Sequence, residues 1–233
     1  MTNKKIVIIP ARSKSKRIPN KNIKDFFGKP IISYPISVAL NCKLFDEVMV
    51  STDCNKIADI AKSFGAKIPF LRSIKNSDDF STTSDVIEEV ILEYKKINIE
   101  FETICCIYPT AVFLNENTIK NAFNKFINGN YDSLIPVVKY SHPIQRALRI
   151  NNNLINFIYP EFINTRSQDL EFSYHDCGQF YFLKTYKFLE NKKIYCDNST
   201  FIELNSTHTQ DIDNEEDWKI AEIKYKSYIK TQY

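Results

Sequence analysis

Eight basic residues stand close together near the start of the sequence, with no acidic residue among them. They lie within residues 1–24, whereas the whole chain of 233 residues has a formal net charge of +3. The other 209 residues carry 23 basic and 28 acidic side chains, a balance of −5. A protein that binds nucleic acid over a broad surface spreads its positive charge. The distribution indicates a local anion site instead, and we expect no nucleic-acid partner.

The densest part of this basic segment directly follows an apolar run. Residues 5–10 (KIVIIP) are typical of a strand buried on both faces. Ligands of open α/β sheets bind beyond the carboxyl ends of the strands. We therefore predict that Arg12, Lys16 and Lys21 converge on phosphate oxygens, helped by the Ser15 hydroxyl and backbone N–H groups. The alternative is a solvated basic loop.

The densest negative charge lies near the other end of the sequence, in Asp211-Ile-Asp-Asn-Glu-Glu-Asp217. In an extended segment, residues two apart point to the same side, so Asp211 and Asp213 can face one metal ion. Mg²⁺ takes one or two carboxylates and completes its shell with substrate phosphates and water. The alternative is that the acids at 213–217 only favour the positive end of the following helix. Because Asp211 precedes the first turn, we predict that Asp211 and Asp213 bind Mg²⁺.

Other reactive side chains are scattered. Asp53 follows a predicted strand and either caps a helix that starts at Asn55 or lines the site. A general-base role for His175 competes with that of a buried, hydrogen-bonded histidine. The six cysteines show no zinc-ligand spacing, so we expect reduced thiols that mostly pack in the core.

The elements that position these residues alternate along the chain. Strand patterns occur at residues 5–10, 47–52, 103–109, 133–139, 178–183 and 200–204, and helical patterns at 30–42, 55–64, 84–94, 115–127 and 214–228. This cadence predicts an α/β fold with a doubly wound, mostly parallel sheet, and Asn55 and Asn214 are the expected helix caps. Since the chain has only four glycines, neither a GxGxxG nor a Walker loop can occur.

Residues 140–177 interrupt this rhythm without a long periodic helix. We predict an inserted arm of short strands and loop within a single domain spanning 1–233; such a segment is often a subunit contact or a substrate lid. No apolar run approaches the roughly 18 residues that cross a bilayer, and residues 4–12 do not resemble a signal peptide. We expect no membrane contact and a cytoplasmic protein.

Several motifs occur together in a diagnostic order. They are Ile9-Pro-Ala-Arg12, Ser15-Lys16, Pro19, Lys21-Asn22, Val50-Ser-Thr-Asp53, Phe70-Leu-Arg72 and Asp211-Ile-Asp213. Over essentially the whole chain this combination resembles the CMP–sugar-acid synthetases, which are cytidylyltransferases that activate nonulosonic acids. The resemblance implies a Rossmann-like three-layer nucleotidyltransferase fold, a Mg²⁺ requirement and a homodimer in which the arm crosses to the partner.

Further segments resemble one branch of that family, the pseudaminic acid cytidylyltransferases. They are Cys106-Ile-Tyr-Pro-Thr110, Pro143–Leu148, Asn164–Asp169, Tyr174-His-Asp176 and Gly178–Tyr181. The branch implies transfer of CMP from CTP to the anomeric hydroxyl of pseudaminic acid, with release of pyrophosphate. Sialic acid synthetases have a Gln where this chain has Tyr108 and an Arg-x-Asn segment where it has His175-Asp-Cys177. N-acetylneuraminic, legionaminic or 3-deoxy-manno-octulosonic acid is the alternative substrate.

The resemblance also implies roles for individual residues. Those assigned to the nucleotide are Ala11, Arg12, Ser15, Lys16, Lys21, Asn22, Arg72 and Thr83, and Arg12, Lys16, Lys21 and Asp211 are assigned to catalysis. Those assigned to the sugar acid are Tyr108, Gln145, Arg146, Arg166, Gln168, His175 and Gln179. Arg146 and Arg166 are the candidates for the sugar carboxylate, because a guanidinium binds a carboxylate through two hydrogen bonds. Alternatively, the residues of the arm serve only the dimer contact.

A protein of another class could carry the same basic loop. A non-catalytic nucleotide-binding or RNA-binding protein would show salt-dependent binding and would be indifferent to Asp211→Ala. The synthetase interpretation predicts a loss of turnover in that variant.

Overall fold

Each apolar run singled out in the sequence forms a strand of one central sheet. The computed structural model describes residues 3–230. The strands are β1 (Lys5–Pro10), β2 (Asp25–Phe26), β3 (Lys29–Pro30), β4 (Glu47–Ser51), β5 (Thr103–Ile107), β6 (Ser133–Lys139), β7 (Leu148–Asn151), β8 (Leu154–Phe157), β9 (Tyr174–Asp176), β10 (Phe180–Lys184) and β11 (Ser199–Glu203). The helices are α1 (Ser33–Asn41), α2 (Asn55–Ser63), α3 (Thr83–Lys96), α4 (Glu116–Asn128), α5 (Thr185–Asn191) and α6 (Glu215–Lys230).

The central sheet has the strand order β11-β6-β10-β5-β1-β4, and β9 pairs with β6 beside this path. β1 runs parallel to both β4 and β5, and β11 runs parallel to β6. β10 runs antiparallel to β5 and to β6, and β9 is also antiparallel to β6. The predicted mostly parallel α/β sheet is therefore confirmed, with one antiparallel strand in its middle.

Side chains along the central strands alternate between two apolar layers. Val7 and Ile9 of β1 lie in a core that α1, α2 and α4 cover. Ile6 and Ile8 lie in a second core on the other face, which α3 and α5 cover. All four are fully buried, which explains the uninterrupted apolar run of this strand. The predicted three-layer arrangement is confirmed.

A third apolar cluster fixes the direction of the acidic pair. Trp218 and Tyr225 of α6 pack edge-on against Phe26, with ring centroids 5.5 and 5.2 Å apart. Ile212, just before this helix, is fully buried in the same cluster. Because alternate residues of an extended segment point to opposite sides, Asp211 and Asp213 point away from the cluster.

The helix ends agree with the sequence at one predicted cap and disagree at the other. Asn214 accepts hydrogen bonds from the N–H groups of Glu216 and Asp217 at 2.8 and 3.0 Å, as predicted for a cap of α6. The prediction that Asn55 caps α2 is wrong: Asn55 is the first helical residue, and Cys54 occupies the cap position without a side-chain bond. Helix α3 begins one residue earlier than predicted, because Thr82 and Asp85 form a capping box.

The segment at 140–177 consists of short elements and loop. It contains the β7–β8 hairpin and several 3₁₀ turns, and β9 returns the chain to the sheet. Every residue of the hairpin strands is exposed.

Most of the cysteines pack in the core, as predicted. All six cysteines are free, and four of them are buried. In the part of the chain that the structure describes, no helix is both long and apolar enough to cross a membrane.

Candidate active site

The carboxyl ends of β1 and β5 open onto one cavity of about 400 Å³. Its walls bring together ten of the residues predicted for the site, which are Arg12, Ser15, Lys16, Lys21, Asn22, Arg72, Thr83, Tyr108, Asp211 and Asp213. The basic loop and the acidic pair, about 200 residues apart in the sequence, face each other here. The Nζ of Lys21 donates to the carbonyl of Ile212 at 2.5 Å and so joins the two segments.

Hydrogen bonds to residues at the ends of the strands hold the basic loop in place. The N–H of Ala11 donates to the carbonyl of Ser51 at 2.8 Å, and the amide of Asn22 donates to the carbonyl of Arg12 at 2.9 Å. The carboxylate of Asp53 accepts the N–H and the hydroxyl of Ser13 at 2.7 and 2.6 Å. Asp53 neither caps α2 nor lines the cavity. Its carboxylate fastens the loop to the end of β4.

Arg72 places a buried positive charge in the cavity wall. Its side chain is mostly buried, with 7% of the residue exposed, and burial lowers its pKa to about 10. Its Nε and Nη2 donate to the hydroxyl and the carbonyl of Ser51 at 2.9 and 2.5 Å. No carboxylate forms an ion pair with this guanidinium within residues 3–230. A buried cation with neutral partners is suited to an anionic ligand.

Two acidic residues that the sequence analysis did not single out face the basic loop. The Nη1 of Arg12 lies 2.6 Å from the carbonyl oxygen of Asp78 and 3.3 Å from the carboxylate of Asp79. Lys16 pairs with the other carboxylate oxygen of Asp79. Two cations assigned to the triphosphate are thus paired with the chain's own carboxylate. The sequence offers no local signal for this pairing, because residues 78 and 79 lie in a loop far from residue 12.

The acidic pair has two different electrostatic environments. Asp213 pairs with Arg17 at 3.0 Å and lies 3.7 Å from the Nζ of Lys21. The carboxylate of Asp211 accepts no hydrogen bond from the described residues, and its pKa is raised by loss of hydration and by the charge of Asp213. Helix capping does not account for either residue, since Asn214 and Asp217 supply the cap of α6.

These carboxylates fit a divalent cation that takes oxygen ligands. Asp211 and Asp213 face the same cavity, and the unneutralised Asp211 is costly to keep charged without a cation. Within the described ranges no cluster of three His, Cys, Asp or Glu side chains has the geometry of a metal site. The remaining ligands of a bound ion would therefore come from a substrate and from water, as Mg²⁺ requires.

Two hydroxyl groups also line the cavity. The Thr83 and Tyr108 hydroxyls lie 2.9 Å apart, and both residues line the cavity. Tyr108 packs edge-on against Tyr181 at 5.7 Å between ring centroids, which fixes the orientation of its ring.

The other residues predicted to bind a sugar acid lie outside this cavity in the single chain. Arg146 donates to the carbonyl of Ile163 at 2.9 Å, and Arg166 pairs with Asp169 at 2.7 Å, both within the arm. Three others also lie away from the cavity: Gln145 bonds to the carbonyl of Glu171, Gln168 lines a separate small pocket, and the ring of His175 packs on Tyr140. Gln179 is buried behind the cavity wall, and its amide donates to backbone carbonyls.

Comparisons with known proteins give a consistent result. The sequence model of a family described as "Cytidylyltransferase" matches residues 6–229. A pseudaminic acid cytidylyltransferase of Campylobacter jejuni is 41% identical over 224 residues, which cover 96% of this chain and 97% of the relative. A CMP-N,N'-diacetyllegionaminic acid synthase of Legionella pneumophila is 33% identical, with coverage of 93% and 94%.

A solved structure shares the fold at low sequence identity. It is a CMP:2-keto-3-deoxy-manno-octonic acid synthetase complexed with CTP, with a TM-score of 0.69 and 16% identity over 94% of this chain and 97% of that one. The likeness supports the three-layer nucleotidyltransferase fold that the sequence motifs imply.

Proposed function

Because the chain belongs to the cytidylyltransferase family, we propose that it transfers CMP from CTP to the anomeric hydroxyl of pseudaminic acid. The hydroxyl oxygen attacks the α-phosphorus, the bond to the β-phosphate breaks, and pyrophosphate leaves while the hydroxyl proton passes to solvent. The observation that carries this proposal is the single cavity in which the basic loop meets Asp211 and Asp213. Phosphoryl transfer of this kind depends on positioning and charge stabilisation.

The side chains that line the cavity bind different parts of the nucleotide. Arg12, Lys16 and Lys21 bind the triphosphate, since their side chains reach the cavity from a loop already fastened at its base. Arg72 adds a buried charge whose burial strengthens its attraction for phosphate. Asn22, also buried, holds the backbone of Arg12 beside the nucleotide. Arg72 and Asn22 are held by hydrogen bonds within the chain before substrate binds, as electrostatic stabilisation requires.

We propose that Asp211 and Asp213 hold Mg²⁺. When bound, the ion would neutralise phosphate charge and help to acidify the attacking hydroxyl. The support is the raised pKa of Asp211 and the absence of a hydrogen-bond donor to its carboxylate among residues 3–230.

We further propose a homodimer in which the arm reaches the partner's cavity. Ile150, Leu154 and Ile155 of the hairpin are 70%, 67% and 64% exposed, and a two-stranded hairpin alone is only marginally stable in water. A partner that covers this hairpin would also receive Arg146 and Arg166, which lie outside the cavity of their own chain.

CTP as substrate and free cysteines favour a cytoplasmic protein.

The reaction is tested by pyrophosphate release with CTP and Mg²⁺ against pseudaminic, legionaminic and N-acetylneuraminic acids, with ATP, GTP and UTP as nucleotide controls. We expect release with CTP and pseudaminic acid. Release with another acid alone would overturn the substrate, and no release from folded protein would overturn the activity.

The arm is tested by mixing two inactive variants, Arg166→Ala and Asp211→Ala. If the arm crosses, a mixed dimer contains one cavity with both residues intact, and activity returns. If each arm serves its own chain, mixing restores nothing.

A further inference from the structure

A tight turn at residues 176–179, between β9 and β10, lies directly against Asp211. Gly178 has a φ of +61°, a conformation that favours glycine. The carboxylate of Asp176 accepts the N–H of Gly178 at 2.8 Å and so closes the turn. None of the roles assigned above uses Asp176.

The Asp211 carboxylate rests on this turn. A Cβ placed on Gly178 would lie 3.2 Å from the Cγ and 3.3 Å from the Oδ2 of Asp211. A side chain at this position would require the carboxylate to shift by a few tenths of an ångström. The turn therefore limits where the Asp211 carboxylate can lie.

The same turn is bonded to two segments that line the cavity, one at Tyr108 and one at Asp211. The backbone carbonyl of Gln179 accepts the N–H of Tyr108 at 2.9 Å. The side-chain amide of Gln179 donates to the carbonyl of Gln210, the neighbour of Asp211, at 3.3 Å. A shift of the turn would be passed to the acidic segment through this bond and through the contact at Gly178.

Two tyrosines fix the carboxylate that closes the turn. The hydroxyls of Tyr181 and Tyr195 donate to the second oxygen of Asp176 at 2.6 and 2.5 Å. Burial raises the pKa of both tyrosines, so both hydroxyls keep their protons and remain donors. No cation forms an ion pair with Asp176 in the described part of the chain.

We propose that Asp176 is a positioning residue, which holds the 176–179 turn through the hydroxyls of Tyr181 and Tyr195 and thereby places the Asp211 carboxylate for the metal ion. The inference rests on the proposed function in one respect, namely that Asp211 is a metal ligand. Removal of a residue that orients a metal ligand without itself contacting the metal typically lowers metal affinity by about 10-fold to 100-fold.

The test measures Mn²⁺ binding in the presence of CTP, by the loss of the free-ion signal in electron paramagnetic resonance, beside steady-state kinetics. We expect Asp176→Ala to weaken Mn²⁺ binding by about 10-fold and to raise the half-saturating Mg²⁺ concentration equally, with most of kcat recovered at saturating metal. Asp176→Asn can still accept the Gly178 N–H, but an NH2 group replaces the oxygen that accepts both tyrosine hydroxyls, so its loss of affinity should lie between those of Tyr195→Phe and Asp176→Ala. Tyr195→Phe removes one of three hydrogen bonds to the carboxylate and should weaken binding about threefold.

The matched control is Tyr94→Phe, which also removes a tyrosine hydroxyl from a carboxylate, that of Glu47, at a site outside the cavity. Its Mn²⁺ affinity should equal that of the wild type. Unchanged Mn²⁺ affinity in a folded Asp176→Ala protein overturns the inference but leaves the proposed function standing. If Asp176→Ala does not fold, unchanged affinity in Tyr195→Phe overturns it instead. Failure of the wild type to bind Mn²⁺ with CTP overturns the metal assignment and the inference together.

Discussion

The carboxylate of Asp53 is expected to control how well the basic loop binds CTP. It accepts two hydrogen bonds from Ser13, next to Arg12, and lies outside the cavity. In Asp53→Ala the loop loses both of its bonds to this carboxylate. The cations would then have to be ordered when CTP binds, so the cost should appear in nucleotide affinity.

The magnitude follows from the two bonds. Hydrogen bonds to a charged group each contribute about 1.5–3 kcal/mol, and the lower end applies here because Asp53 is partly exposed. After Ser13 regains bonds to water, we expect a net loss of about 2 kcal/mol, which corresponds to about a 30-fold rise in the KM for CTP. Asp53→Asn can keep both bonds without the charge and should raise KM only about fivefold.

Pyrophosphate release at varied CTP concentrations measures this effect, and thermal unfolding reports whether the fold is intact. Asp46→Ala is the matched control, because Asp46 also accepts a backbone N–H, that of Lys5 at 2.7 Å, but at the start of β1. Its KM should not change. A KM for CTP within twofold of the wild type in Asp53→Ala would refute the role given to this carboxylate.

The contact between Asp53 and Ser13 also makes the free energy of unfolding depend on pH. Burial raises the pKa of Asp53, but the bonds from Ser13 and the charge of Arg72 outweigh it, so that the pKa lies below the ordinary 3.8. A group with a depressed folded pKa stabilises the protein above its unfolded pKa and loses that contribution as the pH falls through the folded value. The difference in unfolding free energy between wild type and Asp53→Asn should therefore be constant above about pH 5 and shrink below about pH 4. A difference that does not vary with pH would contradict this assignment.

Three further substitutions test the cavity. Arg72→Met should weaken CTP binding about 100-fold, as measured by calorimetry, and should change the unfolding temperature little. The reason is that it removes a buried charge that lacks an ion-pair partner among the described residues. A marked loss of stability with intact CTP binding would contradict this. Asp79→Asn should lower the KM for CTP about threefold, because it frees Arg12 and Lys16 from a competing carboxylate, and a raised KM would instead make Asp79 part of the nucleotide site. Asp211→Ala should reduce kcat about 100-fold or more with CTP binding retained, and full turnover would argue against its catalytic role.

The sequence by itself was sufficient for the fold class and for several residues that line the same cavity. Burial on both faces requires continuous apolar runs such as 5–10, so the strands of a doubly wound sheet can be identified locally. Ligands of such sheets bind where loops leave the carboxyl ends of the strands, and this rule correctly placed the loop with Arg12, Lys16 and Lys21 at a cavity. The period of two around Ile212 likewise predicted that Asp211 and Asp213 share a side.

Local sequence patterns were less informative about the direction of strands and about short helices and helix ends. The run at 178–183 is apolar in either orientation, so only its pairing between β5 and β6 makes β10 antiparallel. Helix α5 has seven residues, too few for a clear helical period, and the sequence analysis did not identify it. The cap of α2 was misplaced by one residue because Asn55 is a good cap and also tolerable at the first helical position.

Only the tertiary structure decided which partner each polar group has. Asp53 meets Ser13 across 40 residues, Arg12 meets Asp78 across 66, and Lys21 meets Ile212 across 191. Such contacts depend on the order of strands in the sheet, which no local pattern contains. The residue types along the chain therefore determined the chemistry that is available, and the packing of distant loops at one edge of the sheet decided which carboxylates and cations act together.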